Sequence, residues 1–119
     1  ERYLMKKTII FDERLPRWNK NGRINGLTLA DYEYWLNDML QMNRYLLLRD
    51  VYEQLGIPIT RESFVAGWVI SSVPHFEFEC HLKPNGAIEI ILPEMESDIR
   101  YSFPSESDIR YSFPSEQES

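Results

Sequence analysis

Apolar residues recur along this chain at two different periods, and the change from one to the other divides it into helical and extended stretches. Thr8-Ile-Ile-Phe11 is a β-branched, apolar run with the composition of a short strand. Pro16 and the segment 19–26, with its Asn21-Gly22 and Asn25-Gly26 dipeptides, then read as a turn-rich connector. Thr28 is placed to cap a helix, and Asp31 follows where a carboxylate favours the helix N-terminus. Leu29, Tyr32, Leu36, Met39 and Leu40 fall on one face at helical spacing, and polar Asn43 marks where that face gives out. A second helix fits from about Leu46 to Leu55, with Leu47, Val51 and Leu55 on one side, Gly56 as left-handed cap and Pro58 as stop. Thr60 predicts a short third helix through Arg61 to Ala66, and Trp68 to Ile70 a further strand.

After Pro74 the period becomes two. Phe76, Phe78, Cys80 and Leu82 alternate with Glu77, Glu79 and His81, and Ile88, Ile90 and Leu92 continue the alternation beyond Lys83-Pro84-Asn85-Gly86. A two-residue Asn85-Gly86 loop would set Leu82 against Glu89 and oppose apolar to charged residues along the ladder. A three-residue loop, with Gly86 in the left-handed bulge position, pairs Leu82 with Ile88, Cys80 with Ile90 and Phe78 with Leu92. A one-residue slip reverses the faces of a strand, so burial selects the three-residue loop. This register places Cys80 on the core face.

Residues 96–105, Glu-Ser-Asp-Ile-Arg-Tyr-Ser-Phe-Pro-Ser, are repeated letter for letter as residues 106–115. Two identical adjacent segments seldom fit equivalent packed environments, so the repeat marks the expected end of the domain. Ile99, Tyr101 and Phe103 alternate with Arg100 and Ser102, and Ile109, Tyr111 and Phe113 do the same in the second copy. Each copy has the pattern of a short strand. Such strands gain order by pairing with the domain's own sheet or with a neighbouring chain, which makes these six residues candidate interaction positions. The elements together predict one α+β domain over residues 5–95. In it a small antiparallel sheet, made of the hairpin of about 75–93 with strands near 8–11 and 68–70, packs on two or three helices. A duplicated tail occupies 96–119.

Composition bounds the function. The 119 residues are 43% hydrophobic, as in an ordinary globular domain, and no apolar run approaches the ~20 residues that span a bilayer. Met5 before Lys6-Lys7 is a candidate start, with Glu1–Leu4 then foreign to the natural chain. The lone cysteine, Cys80, allows no internal disulfide and fits a reducing compartment. The net charge of -6 is unevenly spread: residues 1–26 carry seven Lys/Arg against three Asp/Glu, and the remainder carry six against sixteen. Overall acidity disfavours nucleic-acid binding, whose affinity comes from neutralising phosphates. It leaves room for an acidic face, formed by Glu77, Glu79 and Glu89, that engages a basic partner.

Three local patterns bear on chemistry. His75, Glu77, Glu79 and His81 alternate, so all four point to one face of a strand, with Glu89 across from His81. Alternate residues ~7 Å apart can converge on a metal, although a solvated polar face is the commoner meaning of such alternation. Arg14, Arg17, Lys20 and Arg23 surround Trp18, an arrangement able to stack on a base and hold phosphates; the competing expectation is that Trp18 plugs the core while the cations stay in water. Cys80 and His81 project to opposite sides, which disfavours a Cys/His nucleophile, and the Gly22–Gly26 segment lacks the Lys-Ser/Thr of a phosphate loop. No residue pattern calls for a cofactor or for catalysis.

Residues Tyr45-Leu-Leu-Leu-Arg-Asp-Val-Tyr-Glu-Gln-Leu-Gly-Ile-Pro-Ile-Thr60, then Gly67-Trp68-Val69 and the acidic-faced hairpin, resemble a group of small proteins from phages and conjugative elements. The resemblance covers roughly Tyr45 to Leu92. It implies a mobile-element origin and a place in the bacterial cytoplasm or in a virion, and it carries no catalytic residues. The expected function is non-enzymatic: a virion or assembly accessory acting by protein–protein contact, including self-association through the C-terminal strands. The alternatives are an acidic inhibitor of a host nucleic-acid-processing or defence enzyme, and a metal-binding enzyme using the His75–His81 face.

Overall fold

A computed structural model describes residues 4–102 as an α+β fold with two antiparallel sheets in place of the single expected one. Strands β1 (Leu4–Met5), β2 (Thr8–Phe11), β3 (Tyr45–Leu47), β4 (Gly67–Val69), β5 (Glu79–Leu82), β6 (Ile88–Ile91) and β7 (Met95–Glu96) accompany helices α1 (Gly22–Asn43) and α2 (Leu48–Leu55). The first sheet has the order β1-β7-β4-β3 and the second the order β2-β6-β5. One hydrophobic core joins them. Leu29, Leu36 and Leu40 of α1 meet Phe11 and Ile90 of one sheet, Leu46 and Trp68 of the other, and Val51 and Leu55 of α2. Phe76 seals this core, edge-on to Trp68 with ring centroids 4.8 Å apart.

Helix α1 begins six residues before the expected cap at Thr28. Asn21, not Thr28, is the N-cap, its side chain accepting from the Arg23 N–H at 3.0 Å. Asn25 is fully buried one turn on, where it accepts from the Asn19 N–H at 2.7 Å and donates to the Asn19 carbonyl at 2.8 Å. The two Asn-Gly dipeptides therefore open a helix instead of turning the chain. The helix ends at Asn43, where the apolar stripe runs out, and Arg44 closes it in the left-handed conformation (φ 72°).

The second helix starts later than expected because Tyr45–Leu47 leaves α1 as strand β3, pairing Leu46 with Trp68. Asp50 then reaches back to the Leu47 N–H at 3.0 Å, a carboxylate satisfying an orphan donor at the start of α2. Gly56 ends α2 at φ 77°, as its sequence position implies. The third helix is reduced to a 3-10 turn over Glu62–Phe64, and the strand expected at 68–70 is Gly67–Val69.

The hairpin adopts the three-residue loop. Leu82 pairs with Ile88 and Cys80 with Ile90, Lys83 N–H donates to the Ala87 carbonyl, and Gly86 sits at φ 90°. The third expected pair, Phe78 with Leu92, lies beyond the ladder. The Phe78 N–H is held by Glu33 of α1 at 2.8 Å, so residues 76–78 pair with helix side chains and the strand begins only at Glu79.

The expected domain boundary after residue 95 falls inside β7. Met95 pairs with Met5, Glu96 pairs with both Leu4 and Gly67, and the Ile99 N–H donates to the Val65 carbonyl at 2.9 Å. The first repeat copy thus begins within the fold. Its backbone forms a 3-10 turn over Ile99–Ser102, not the alternating strand expected of it, and Ile99 is buried.

Candidate functional site

The His75–His81 face does not converge. His75 Nε2 lies 3.6 Å from Glu77 and His81 Nε2 lies 2.8 Å from Glu79, two separate pairs of exposed side chains. Glu89, across from His81, is joined to Lys83 at 3.2 Å. Among the described residues no group of three or more His, Cys, Asp or Glu side chains is placed to hold a metal ion. His75, Glu77 and Glu79 line an open groove of about 370 Å³ with Lys6, Ile91, Leu92 and Pro93. The Glu89 carboxylate is partly neutralised by Lys83, while Glu77 and Glu79 each sit beside an imidazole, His75 and His81.

Cys80 departs from its expected place in the core. It faces the same side of the sheet as Ile90, yet it is exposed, because β5 is an edge strand with no layer covering it. Partial desolvation of the thiol, with Glu33 adding its negative charge, pushes its pKa above the ordinary cysteine value. This opposes thiolate formation and hence nucleophilic use.

The basic connector is split in its environment. Arg14 pairs with Asp12 at 3.0 Å, and Arg17 lines a shallow groove with Asp50 and Glu53 of α2. Trp18 is half-buried against the core, its indole N–H directed at the Gly86 carbonyl at 3.4 Å, and Pro16 packs under Gly56. Lys20 and Arg23 remain exposed at the start of α1. Trp18 thus serves the hairpin turn, and the four cations form no continuous patch around an open ring.

Of the six tail positions, Ile99 is buried in the core of the fold and Tyr101 lies in the 3-10 turn. Phe103, Ile109, Tyr111 and Phe113 lie outside the described residues.

Half of the ten exposed large apolar side chains among the described residues lie on one helix, on a face that the sequence pattern left unassigned. Ile24, Leu27, Tyr34, Trp35 and Met42 are 41%, 65%, 67%, 55% and 73% exposed, all on α1. At ~100° per residue these five positions fall within a sector of about 100°, on the side away from Leu29, Tyr32, Leu36 and Leu40. Tyr34 and Trp35 meet edge to face at 5.8 Å. The helix is apolar on two sides, and only one is covered by the described residues. Ile24 and Leu27 escaped notice because their segment reads as a connector; extending the helix back to Asn21 would have aligned them with Tyr34, Trp35 and Met42. Asp31 and Asp38 are the charges within this outer face, and Arg23 stands at its basic end.

The fold and its surfaces define a small α+β protein that offers a helix face and an edge strand, with no helix among the described residues long and apolar enough to cross a membrane. The chain belongs to the family of unknown function DUF6353, whose sequence model matches residues 3–104. The match starts before Met5 and ends inside the first repeat copy, leaving the second copy outside it. No curated protein and no solved structure matches the chain significantly.

Proposed function

We propose that this protein works by binding another protein chain through the outer face of α1, as a non-enzymatic accessory. The observation that carries the reading is the second apolar stripe of α1. Five large side chains stand in water on a helix whose other side already supplies the core. Single exposed apolar residues need no explanation, but five large ones gathered on one helix face, with Asp31 and Asp38 among them, mark an interaction surface. Tyr and Trp are the residue types that give protein interfaces most of their affinity. The likeness of residues 45–92 to small phage and conjugative-element proteins supports placing that contact in an assembly. Cysteine and histidine chemistry are less well supported, since the Cys80 thiolate is disfavoured and the two histidines sit in separate pairs.

The test is a photo-crosslinking amino acid at position 34, with position 53 on α2 as control, in cells making the full chain. A discrete adduct from position 34, absent from position 53 and lost on Leu27→Glu, is the expected result. Equal or absent crosslinking at the two positions would remove the basis for this reading.

A further inference from the structure

We infer that the occupant of the outer α1 face is a second copy of this chain, its α1 running antiparallel across a two-fold axis. The inference rests on the docking role proposed above and specifies the partner. Arg23, Leu27, Tyr34 and Asp38 fall within a sector of about 60° on the exposed side of the helix, at ~100° per residue. Neither Arg23 nor Asp38 is ion-paired among the described residues.

An isologous contact requires that when residue i meets residue j, residue j meets residue i about the same axis. A two-fold between positions 30 and 31 satisfies this twice. It sets Arg23 against Asp38 of the other copy, and Leu27 against Tyr34 of the other copy, on both sides of the axis. Small Ala30 lies at the crossing, where two helix backbones must approach.

The charges specify direction as well as register. The basic residues Lys20 and Arg23 lie at the start of α1, while Asp31 and Asp38 lie further along its exposed side. Parallel pairing would stack like on like, and antiparallel pairing opposes the basic end to an acid. The two Asp31 carboxylates flank the axis as like charges, a cost that the outer Arg23–Asp38 pairs offset.

The test uses the full-length chain and two charge reversals at exposed positions, followed by light scattering across concentration. The wild type is expected to rise toward twice the chain mass. Arg23→Asp alone and Asp38→Arg alone are each expected to weaken association at least tenfold. Mixing the two variants in equal amounts should restore it. Each variant then supplies the charge the other lacks at both pairs, and such rescue excludes misfolding as the cause of the single losses. A wild type that stays at the chain mass, reversals without effect, or failure of the mixture would each overturn the inference. Crosslinking from position 34 separates this failure from failure of the docking role itself. An adduct formed by the purified chain at twice its mass supports a second copy. An adduct formed only in cells and at another mass overturns the second copy while leaving α1 a docking surface.

Discussion

Asn37 holds the backbone of Phe76 at both ends: its Oδ1 accepts the Phe76 N–H at 2.7 Å and its Nδ2 donates to the Phe76 carbonyl at 2.7 Å. A helix side chain here does what a neighbouring strand would do, and it fixes the residue whose ring is fully buried against Trp68. Asn37→Ala leaves a donor and an acceptor without partners beside the core. The expected loss is about 1–3 kcal/mol, read as a lower urea midpoint with an unchanged slope. Asn37→Asp keeps the acceptor but loses the donor and should also destabilise at neutral pH.

Two glycines should respond to alanine in opposite directions. A Cβ at Gly67 would collide with the Leu46 carbonyl oxygen and lie 2.9 Å from the Leu47 Cα, both backbone atoms of the paired strand β3. Neither can move without breaking the ladder, so Gly67→Ala should cost several kcal/mol, on the order of an overpacked core. Gly26 lies inside α1 with nothing within 4 Å of a Cβ. Gly26→Ala should stabilise by about 0.5–1 kcal/mol through helix propensity. Thermal melts of the two variants check both signs at once.

The contrast between these glycines shows which parts of the fold were legible in the sequence. Strand β2 and the hairpin register were readable, because alternation and loop length constrain each other and only one register opposes Leu82 to Ile88. What register does not set is whether a layer covers the face, and so Cys80 pairs as expected yet stands exposed. The start of α1 was hidden because Asn-Gly favours turns locally, while the buried hydrogen bonds of Asn25 to Asn19 are a tertiary feature. Strand β3 was hidden because Tyr45 to Leu48 is an apolar run with no period. The outer face of α1 went unseen for the same reason as its first two turns.

Ile99 tests how far the repeat belongs to the domain. Its side chain is 4% exposed and its N–H is bound to Val65, so Ile99→Ala removes buried methyl groups from a fixed site. The expected cost is about 2–4 kcal/mol, measured by urea unfolding. A chain ended after Pro93 would lose β7 and Ile99 together, and should unfold at far lower denaturant than the full chain.

Asp98 should make a small part of the stability acid-sensitive. The Arg100 guanidinium and backbone N–H both bond its carboxylate, at 2.9 Å and 3.1 Å, and hold its pKa below the ordinary aspartate value. A folded-state pKa below the unfolded one, ~3.9, gives stability that is full above that value and is lost as pH falls through the folded one. Arg100 is largely in water, so the contribution is at most about 1 kcal/mol. The gap between wild type and Asp98→Asn should therefore be small at pH 7 and close at strongly acid pH; a gap that widens in acid would contradict the assignment.

Cys80 should be accessible and yet slow to react. Reactivity follows the thiolate and not the thiol, and partial desolvation at the β5 edge keeps the proton on sulfur. The sign is direct: a pKa raised above ~8.5 means less thiolate at any given neutral pH. One equivalent of iodoacetamide should label the native chain completely, since the residue is exposed, but at a slower rate than it labels free cysteine at pH 7.5. The rate should titrate with an apparent pKa above the ordinary value. Glu33 adds to the shift through its charge, so Glu33→Gln, which can still accept the Phe78 N–H, should speed labelling modestly without unfolding the edge. An apparent pKa at or below that of free cysteine would place the thiolate in a stabilising environment and contradict this reading of Cys80.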